Sequence, residues 1–142
     1  MKVAPEVKDK VERLLLGMPR SLDGHLGILY LDLSPELVVG QLPVDDRTRQ
    51  PFGILHGGAS VALAESLSSV GAFLNINEER YAAVGLEINA NHIRPVKDGV
   101  VIGTARPLHR GASTQIWETR IEAAGKLVCI SRCTLAIVER RL

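Results

Sequence analysis

Aromatic residues and cysteine are scarce in this sequence, and its charges almost cancel. Aromatic residues make up 4% of the 142 residues, and 17 Lys and Arg oppose 16 Asp and Glu, which gives a net charge of +1. Without a basic excess, binding to nucleic acid or to an anionic membrane is not expected, and an anionic ligand must be held by a local cluster. With 46% hydrophobic residues, the chain is predicted to be one globular domain over residues 1–142.

Cysteine is limited to Cys129 and Cys133. They lie four residues apart in a segment with the pattern of a strand, so their Cα atoms would be roughly 13 Å apart, too far for an intrachain disulfide. The N-terminal residues are rich in Lys and Glu and lack the apolar stretch of a signal peptide. We therefore expect a cytoplasmic location, in a reducing compartment.

Several common catalytic motifs are missing as well. No His, Cys or carboxylate residues have the helical ligand spacing of a metal site, and there is no Cys-x-x-Cys knuckle, so no metal is expected. A serine hydrolase is disfavoured because there is no Gly-x-Ser-x-Gly elbow. The glycine pair at Gly57 and Gly58 is not followed by the Lys-Ser/Thr of a phosphate loop.

The apolar periodicity predicts an α+β fold. Helical spacing indicates a short amphipathic helix over about residues 5–16, and the polar run at 45–51 is typical of an ordered loop. Ala124-Gly125 has the pattern of a hairpin turn. Strands are predicted over 24–33, 37–42, 82–94, 100–108, 115–123 and 127–138. This order predicts one antiparallel sheet wrapped on one long helix.

The long helix is predicted over about residues 57–74, within a segment from Gly57 to Asn77 whose single charged residue is Glu65. Its weak polar face indicates a helix that is enclosed on most sides. About 20 apolar residues can also span a bilayer. The central glutamate, the clustered serines and the two glycines at the start argue against that reading, so no membrane association is expected.

A carboxylate on a buried helix costs several kcal/mol to desolvate unless it is paired or protonated, and no cation lies within one helical turn of Glu65. One explanation is structural: Glu65 faces a solvent gap or an arginine from another strand. The other is a catalytic base whose pKa is tuned by its surroundings. Ser69, four residues further on, shares the same helix face, either for substrate and water or for packing.

The start of the helix offers a partner for such a base. The two glycines after His56 leave backbone N–H groups uncovered at the positive end of a long helix, an arrangement that stabilises an oxyanion, although tight packing explains a glycine pair equally well. Gly57 and Glu65 are roughly 12 Å apart along the helix axis, too far to act on one carbonyl. If both serve one site, two subunits must contribute, and catalysis requires at least a dimer.

Each of the other basic residues, taken alone, is most simply interpreted as a surface residue. His25, beside glycines at the predicted start of a strand, is expected at the surface. His92 and Arg94 lie on one face of a strand, and His109-Arg110-Gly111 forms a basic turn after another strand. Together these two groups could hold the phosphates of a ligand.

Three stretches resemble the hotdog thioesterases of the PaaI type, which include a class of 4-hydroxybenzoyl-CoA thioesterases and the 1,4-dihydroxy-2-naphthoyl-CoA thioesterases. They are Gln50-Pro-Phe-Gly-Ile-Leu-His-Gly-Gly-Ala-Ser60 with Leu63-Ala-Glu-Ser66 and Ser69, then Gly85 to Arg94, and Pro107 to Gly111. The resemblance covers roughly residues 24–138. It implies a hotdog fold, hydrolysis of an acyl-CoA without a further cofactor, active sites at a dimer interface, and a homotetramer built as a dimer of dimers.

The resemblance also implies roles for individual residues. Glu65 is similar to the catalytic carboxylate, acting as general base or as nucleophile, and the Gly57 N–H to the group that polarises the thioester carbonyl. Gln50, His56 and Ser69 match side chains that line the same pocket. Arg110 stands where some relatives carry an uncharged residue. Contacts to the CoA or acyl part are implied for Gly85, His92, Ile93, Arg94, Pro95, His109, Arg110, Gly111 and Ser113.

Two other functions fit parts of the sequence. A hotdog hydratase or dehydratase of acyl thioesters also uses a carboxylate and a histidine, but the Gln-Pro-Phe-Gly-x-x-His-Gly-Gly run follows the thioesterase pattern. A non-catalytic acyl-CoA-binding module would not need Glu65. The small residues along the helix leave room for either an aryl or a medium-chain acyl group.

Overall fold

A computed structural model describes residues 1–141, and Leu142, the last residue of the predicted domain, lies outside the described residues. Seven strands form one sheet in the order β1-β2-β3-β5-β6-β7-β4. Only the short β1 pairs in parallel; each other neighbouring pair is antiparallel. The strands are β1 Lys2–Val3, β2 Leu29–Ser34, β3 Leu37–Pro43, β4 Tyr81–His92, β5 Val100–Arg110, β6 Thr114–Ala123 and β7 Lys126–Glu139. The helices are α1 Lys8–Gly17, α2 Leu22–Leu26 and α3 Gly57–Leu74.

Helix α3 forms the centre of the core. It contacts β2 to β7, and ten of its residues are buried, which confirms the predicted enclosure. Leu63 and Leu67 pack from the helix, and Trp117 on β6 lies beneath Gly71. By length and composition alone α3 could cross a membrane, but 56% of it is buried inside the fold. It is therefore the core helix of an α+β domain, as the sequence predicts.

Both ends of α3 are capped by side chains. His56 precedes the helix in an extended conformation, and its Nδ1 accepts a hydrogen bond of 2.7 Å from the Gly58 N–H. At the other end, the Asn75 amide donates to the Gly71 carbonyl at 2.8 Å. Lys10 of α1 adds a positive charge there, donating to the Ile76 carbonyl at 2.5 Å. Helix α1 thus compensates the negative end of the α3 dipole.

The predicted strand over residues 24–33 is wrong in its first part, because residues 22–26 form α2. The Ser21 hydroxyl accepts from the Gly24 N–H at 3.2 Å and caps the start of this short helix. Gly27, with φ of 77°, ends it in the left-handed conformation that glycine adopts without strain. His25, assigned to a strand start, instead lies in this helix and is exposed.

The remaining strands agree with the prediction apart from their ends. Ala124 and Gly125 both have positive φ, as the predicted two-residue hairpin turn between β6 and β7 requires. His109 and Arg110, predicted to form a turn, are the last residues of β5. Strand β4 ends the sheet on one side, and its outer edge pairs with no other strand among residues 1–141.

Candidate active site

A cavity of about 390 Å³ opens at the N-terminal end of α3, beside the end of β4. Six residues to which the resemblance assigns roles line it: Gln50, Gly57, His92, Ile93, Arg94 and Pro95. The loop before the helix is shaped by Gln50, whose main chain pairs with Ile54 and whose side-chain oxygen accepts from the Phe52 N–H. The structure therefore brings together residues from three separate parts of the chain.

The Gly57 N–H is a backbone donor at this cavity. The next N–H, of Gly58, is used by His56, and those of Ala59 and Ser60 donate to the His56 carbonyl. Within residues 1–141 the Gly57 N–H donates no hydrogen bond. It stands at the positive end of an 18-residue helix, so it can stabilise negative charge on an oxygen placed in the cavity.

Ser60 also lines the cavity, and the sequence analysis did not single it out. It follows Gly57 by three residues on the helix, so the two share a face. The residue is 2% exposed. The i, i+3 spacing from Gly57 was the signal that could have identified it.

Glu65 lies half-buried near the middle of α3, facing β4. Its Oε1 lies against Gly85, so close that a Cβ at this glycine would be 2.7 Å away. No Lys, Arg or His pairs with the carboxylate within residues 1–141, so an arginine from another strand does not explain it. Its negative charge contributes, after burial, to raising the pKa of the Cys133 thiol to about 11, and Glu87 adds to the effect.

The predicted companions of Glu65 are only partly assembled in one chain. Ser69 is half-buried one turn further along α3, on the same helix face. His56 is exposed and points to a different cavity of about 290 Å³, which it lines with Leu22, Leu26 and Ala62. Gly57 and Glu65 belong to the same straight run of helix, roughly 12 Å apart along its axis. The proposed oxyanion donor and base therefore do not meet within one chain.

The two basic groups are also separated. Arg94 lies near the N-terminal end of α3, where its guanidinium donates to the Leu127 carbonyl at 2.8 Å. Arg110 and Gly111 line a second cavity of about 450 Å³ at the other end of the helix, next to His109 and Ser113. The Arg110 guanidinium is held by Glu36 at 2.6 Å. The two basic groups of one chain therefore lie at opposite ends of α3.

The far side of α3 is fixed by a half-buried acid. Asp23 of α2 accepts from the Ser66 hydroxyl at 2.6 Å and from the Tyr30 hydroxyl at 2.7 Å. Burial, together with the charge of Asp23 and its hydrogen bond, raises the pKa of Tyr30 well above its ordinary value. Asp23 thus ties helix α2 and strand β2 to the turn of α3 that carries Glu65.

No three His, Cys, Asp or Glu side chains come together as metal ligands in residues 1–141. The described chain offers three kinds of group for chemistry, of which the Gly57 N–H and Ser60 line the first cavity while Glu65 and Ser69 lie further along α3. These are one backbone donor, one unpaired carboxylate and the hydroxyls of Ser60 and Ser69. A donor that stabilises an oxyanion and a carboxylate that activates water are the groups that acyl transfer to water requires.

Comparison with known proteins gives the same family throughout. The thioesterase superfamily model matches residues 52–130. A 1,4-dihydroxy-2-naphthoyl-CoA hydrolase of Escherichia coli is 47% identical over 116 residues, covering 81% of this chain and 85% of that protein. The proofreading thioesterase EntH of Klebsiella pneumoniae is 48% identical, covering 80% and 83%. The crystal structure of a mutant thioesterase from Pseudomonas aeruginosa superposes with a TM-score of 0.87 at 43% identity, covering 91% and 94%.

Proposed function

Because the chain belongs to the thioesterase superfamily and has its hotdog fold, we propose that it hydrolyses an acyl-CoA thioester to the free acid and CoA. The observation that carries the proposal is the Gly57 N–H, which donates no hydrogen bond within residues 1–141 and belongs to a residue that lines a cavity at the positive end of a helix whose single charged residue is Glu65. CoA belongs to the substrate, and no further cofactor is required. A hydroxybenzoyl, naphthoyl or other aryl group, or a medium chain, is the proposed acyl part.

The proposed reaction uses the Gly57 N–H and the Glu65 carboxylate. The thioester carbonyl oxygen accepts from the Gly57 N–H, which stabilises the negative charge that develops on it. As general base, Glu65 takes a proton from a water that attacks the carbonyl carbon. As nucleophile, the carboxylate itself attacks and forms a mixed anhydride, which water then hydrolyses. In both routes the C–S bond breaks, the sulfur leaves as thiolate and gains a proton, and the acid is released.

The proposed site requires a second copy of the chain, and β4 offers the surface for it. This strand has a free edge that exposes Val84 and Leu86 at 49% and 63%. Antiparallel pairing of two β4 edges about an axis near Asn89 would place His92, with Gly57 behind it, opposite the partner's Gly85. The partner's Glu65 lies behind that glycine. A two-fold dimer would thus join the donor of one subunit to the carboxylate of the other.

The remaining residue roles are proposed on the same basis. Gln50 and Ser69 complete the pocket in the dimer, where the partner's helix face meets the loop before α3. His56, for which the resemblance also implies this pocket, caps α3 and supports the loop from the neighbouring cavity. Arg94, near the first cavity, is the preferred contact for the CoA phosphates, because Arg110 is already paired with Glu36. In the dimer, the partner's cavity that is lined by Arg110 and Gly111 would lie close to the opening of the first cavity. The homotetramer and the cytoplasmic location remain predictions from the resemblance and the composition.

Free-thiol release from a panel of CoA thioesters tests the function. The panel contains benzoyl, hydroxybenzoyl, dihydroxynaphthoyl, phenylacetyl, hexanoyl and decanoyl-CoA, with product acids followed in parallel. We expect thiol and acid to appear in equal amounts from at least one of them. Formation or loss of an enoyl double bond on an added crotonyl-CoA, without thiol release, would instead identify a hydratase. Binding of these thioesters without turnover would identify a binding module.

Mixing two impaired variants tests the shared site. Gly57→Pro removes the oxyanion donor and Glu65→Gln removes the base, so each homodimer has two defective sites. When the variants are unfolded together and refolded at equal amounts, about half of the dimers combine both chains, and each of these carries one intact site. We expect activity to rise to about a quarter of wild type per chain, measured by thiol release.

The matched control mixes each variant with itself under the same refolding conditions. Activity that stays at the level of the separate variants, although mass spectrometry detects heterodimers, would show that donor and base belong to one chain. Such a result would contradict the dimeric site.

A further inference from the structure

Gly85 lies on the helix-facing side of β4, at an irregularity in the strand. It is opposite Leu135 of β7, whereas the next paired residue is Glu87, opposite Thr134. Leu86 is therefore an extra residue, and its side chain is 63% exposed. Such a bulge bends a strand and redirects the side chains beside it. Here it places the bare main chain of Gly85 directly beneath the middle of α3.

The space that a side chain at Gly85 would fill is taken by one group. A Cβ placed there would lie 2.7 Å from Glu65 Oε1 and 3.9 Å from Glu65 Cδ. No other heavy atom comes within 4 Å of that point, apart from Gly85 and its chain neighbours. The end of the Glu65 side chain therefore rests on the main chain of β4.

The backbone itself does not require glycine at this position. Positive φ angles occur at Gly27, Gly53, Gly99 and Gly125 but not at Gly85, so alanine fits the local conformation. Glycine inside a strand is unfavourable for stability, by roughly 0.5–1 kcal/mol relative to alanine. Glycine at position 85 lowers stability, and the backbone conformation does not require it. Its presence is explained by the close contact with Glu65 that the missing side chain permits.

We propose that Gly85 is a positioning residue for the Glu65 carboxylate. The missing Cβ lets the carboxylate lie flat against the edge strand, at the height where the second subunit would present its Gly57. A methyl group at this position would push the carboxylate oxygen off β4 by about 0.7 Å, from 2.7 Å to ordinary contact at 3.4 Å. The proposal deepens the proposed function, on which it rests, and differs from the sequence-based role of Gly85 as a substrate contact, which stays a prediction.

Gly85→Ala tests the proposal by separating kcat from KM. Because a displacement of about 1 Å of a reacting group can cost a hundredfold, we expect kcat to fall by about 10- to 100-fold. KM should change by less than about twofold, since no contact to the substrate is removed. The thermal unfolding midpoint should stay the same or rise. Steady-state kinetics and thermal unfolding of the purified full chain give these values.

Gly103→Ala is the matched control. This glycine lies on the helix-facing side of β5, where a Cβ would meet the end of Leu67 at 2.7 Å, equally close but away from Glu65. We expect the control to lower stability and to retain kcat within about threefold. A comparable loss of kcat in both variants would overturn the proposal, because crowding of the core would then account for it.

Shortening the glutamate provides the second test. Aspartate at position 65 lacks one methylene, so its carboxylate no longer reaches β4, and Gly85→Ala should have no further effect on kcat in a Glu65→Asp background. If Gly85→Ala alone fails to fold, Glu65→Asp should restore folding, because it removes the clashing oxygen.

Three results would overturn the positioning role. They are wild-type kcat in Gly85→Ala, a raised KM that persists alongside Glu65→Asp, and misfolding that Glu65→Asp does not relieve. The proposed function fails separately, if the wild-type chain releases no thiol from any thioester of the panel, and the role of Glu65 fails if Glu65→Gln is fully active.

Discussion

Glu65→Gln is expected to lower kcat for thioester hydrolysis by at least about a hundredfold, with KM changed far less. Glutamine keeps the shape of the side chain but can neither accept a proton from water nor form an anhydride, and a positioned base contributes about 10²- to 10⁴-fold. Since no cation pairs with Glu65 in residues 1–141, no intrachain ion pair is broken by the change. Thiol release with the most active thioester of the panel gives the comparison.

The stability of the same variant carries independent information. A half-buried carboxylate without a cation partner costs free energy, so its neutral isostere should unfold at the same temperature or higher. Glu87→Gln is the matched control, because it removes an equal charge from an exposed position of β4. There the Asn89 amide donates to the Glu87 carboxylate at 3.1 Å. We expect this control to keep wild-type kcat. Equal activity of wild type and Glu65→Gln on every substrate would exclude Glu65 as base or nucleophile.

Gly57→Pro is expected to lower kcat by about 10²- to 10³-fold relative to Gly57→Ala. Proline has no N–H, so it deletes the proposed oxyanion donor, whose loss in such sites has effects of this size. The main chain accepts proline here, because Gly57 is the first residue of α3 and His56 is extended, with φ of −67° and ψ of 132°. Since the Gly57 N–H has no partner in the described chain, no structural hydrogen bond is lost.

Alanine at the same position isolates the effect of the donor. Both substitutions add a Cβ that would lie 2.9 Å from His92 Nε2, so both displace this imidazole to a similar extent. Only proline removes the N–H. Circular dichroism and thermal unfolding should show that α3 is intact in both variants. Equal kcat for the two variants would mean that the carbonyl oxygen is stabilised elsewhere.

The architecture could be predicted from sequence because its periodic signals are long. The uncharged segment around Glu65 is continuous, and the paired strands alternate clearly, so the core helix and the hairpin at Ala124-Gly125 were both identified. The failure at residues 24–28 had a local cause. A serine cap and a left-handed glycine enclose only one turn of helix, and the apolar alternation of the following strand concealed it. The two-residue β1 carries too few residues for any period.

The candidate site was predicted less completely, because it depends on contacts that sequence distance does not encode. Spacing along the helix showed that Gly57 and Glu65 cannot meet within one chain, and the structure agrees. Spacing could not show that Arg94 and Arg110 lie at opposite ends of that helix, since this follows from how the strands cross it. It also could not reveal the contact between Glu65 and Gly85, which depends on a bulge in β4.

The two buried cysteines bear on how the chemistry of this protein can be followed. Cys129 and Cys133 are 0% and 1% exposed, and burial raises the pKa of both thiols. A disulfide reagent reacts with a thiolate that it can reach, and the folded chain offers neither the thiolate nor the access. The two cysteines of the folded chain should therefore not react with chromogenic thiol reagents. In an assay of the native protein, the colour then measures only the thiol of the CoA that is released.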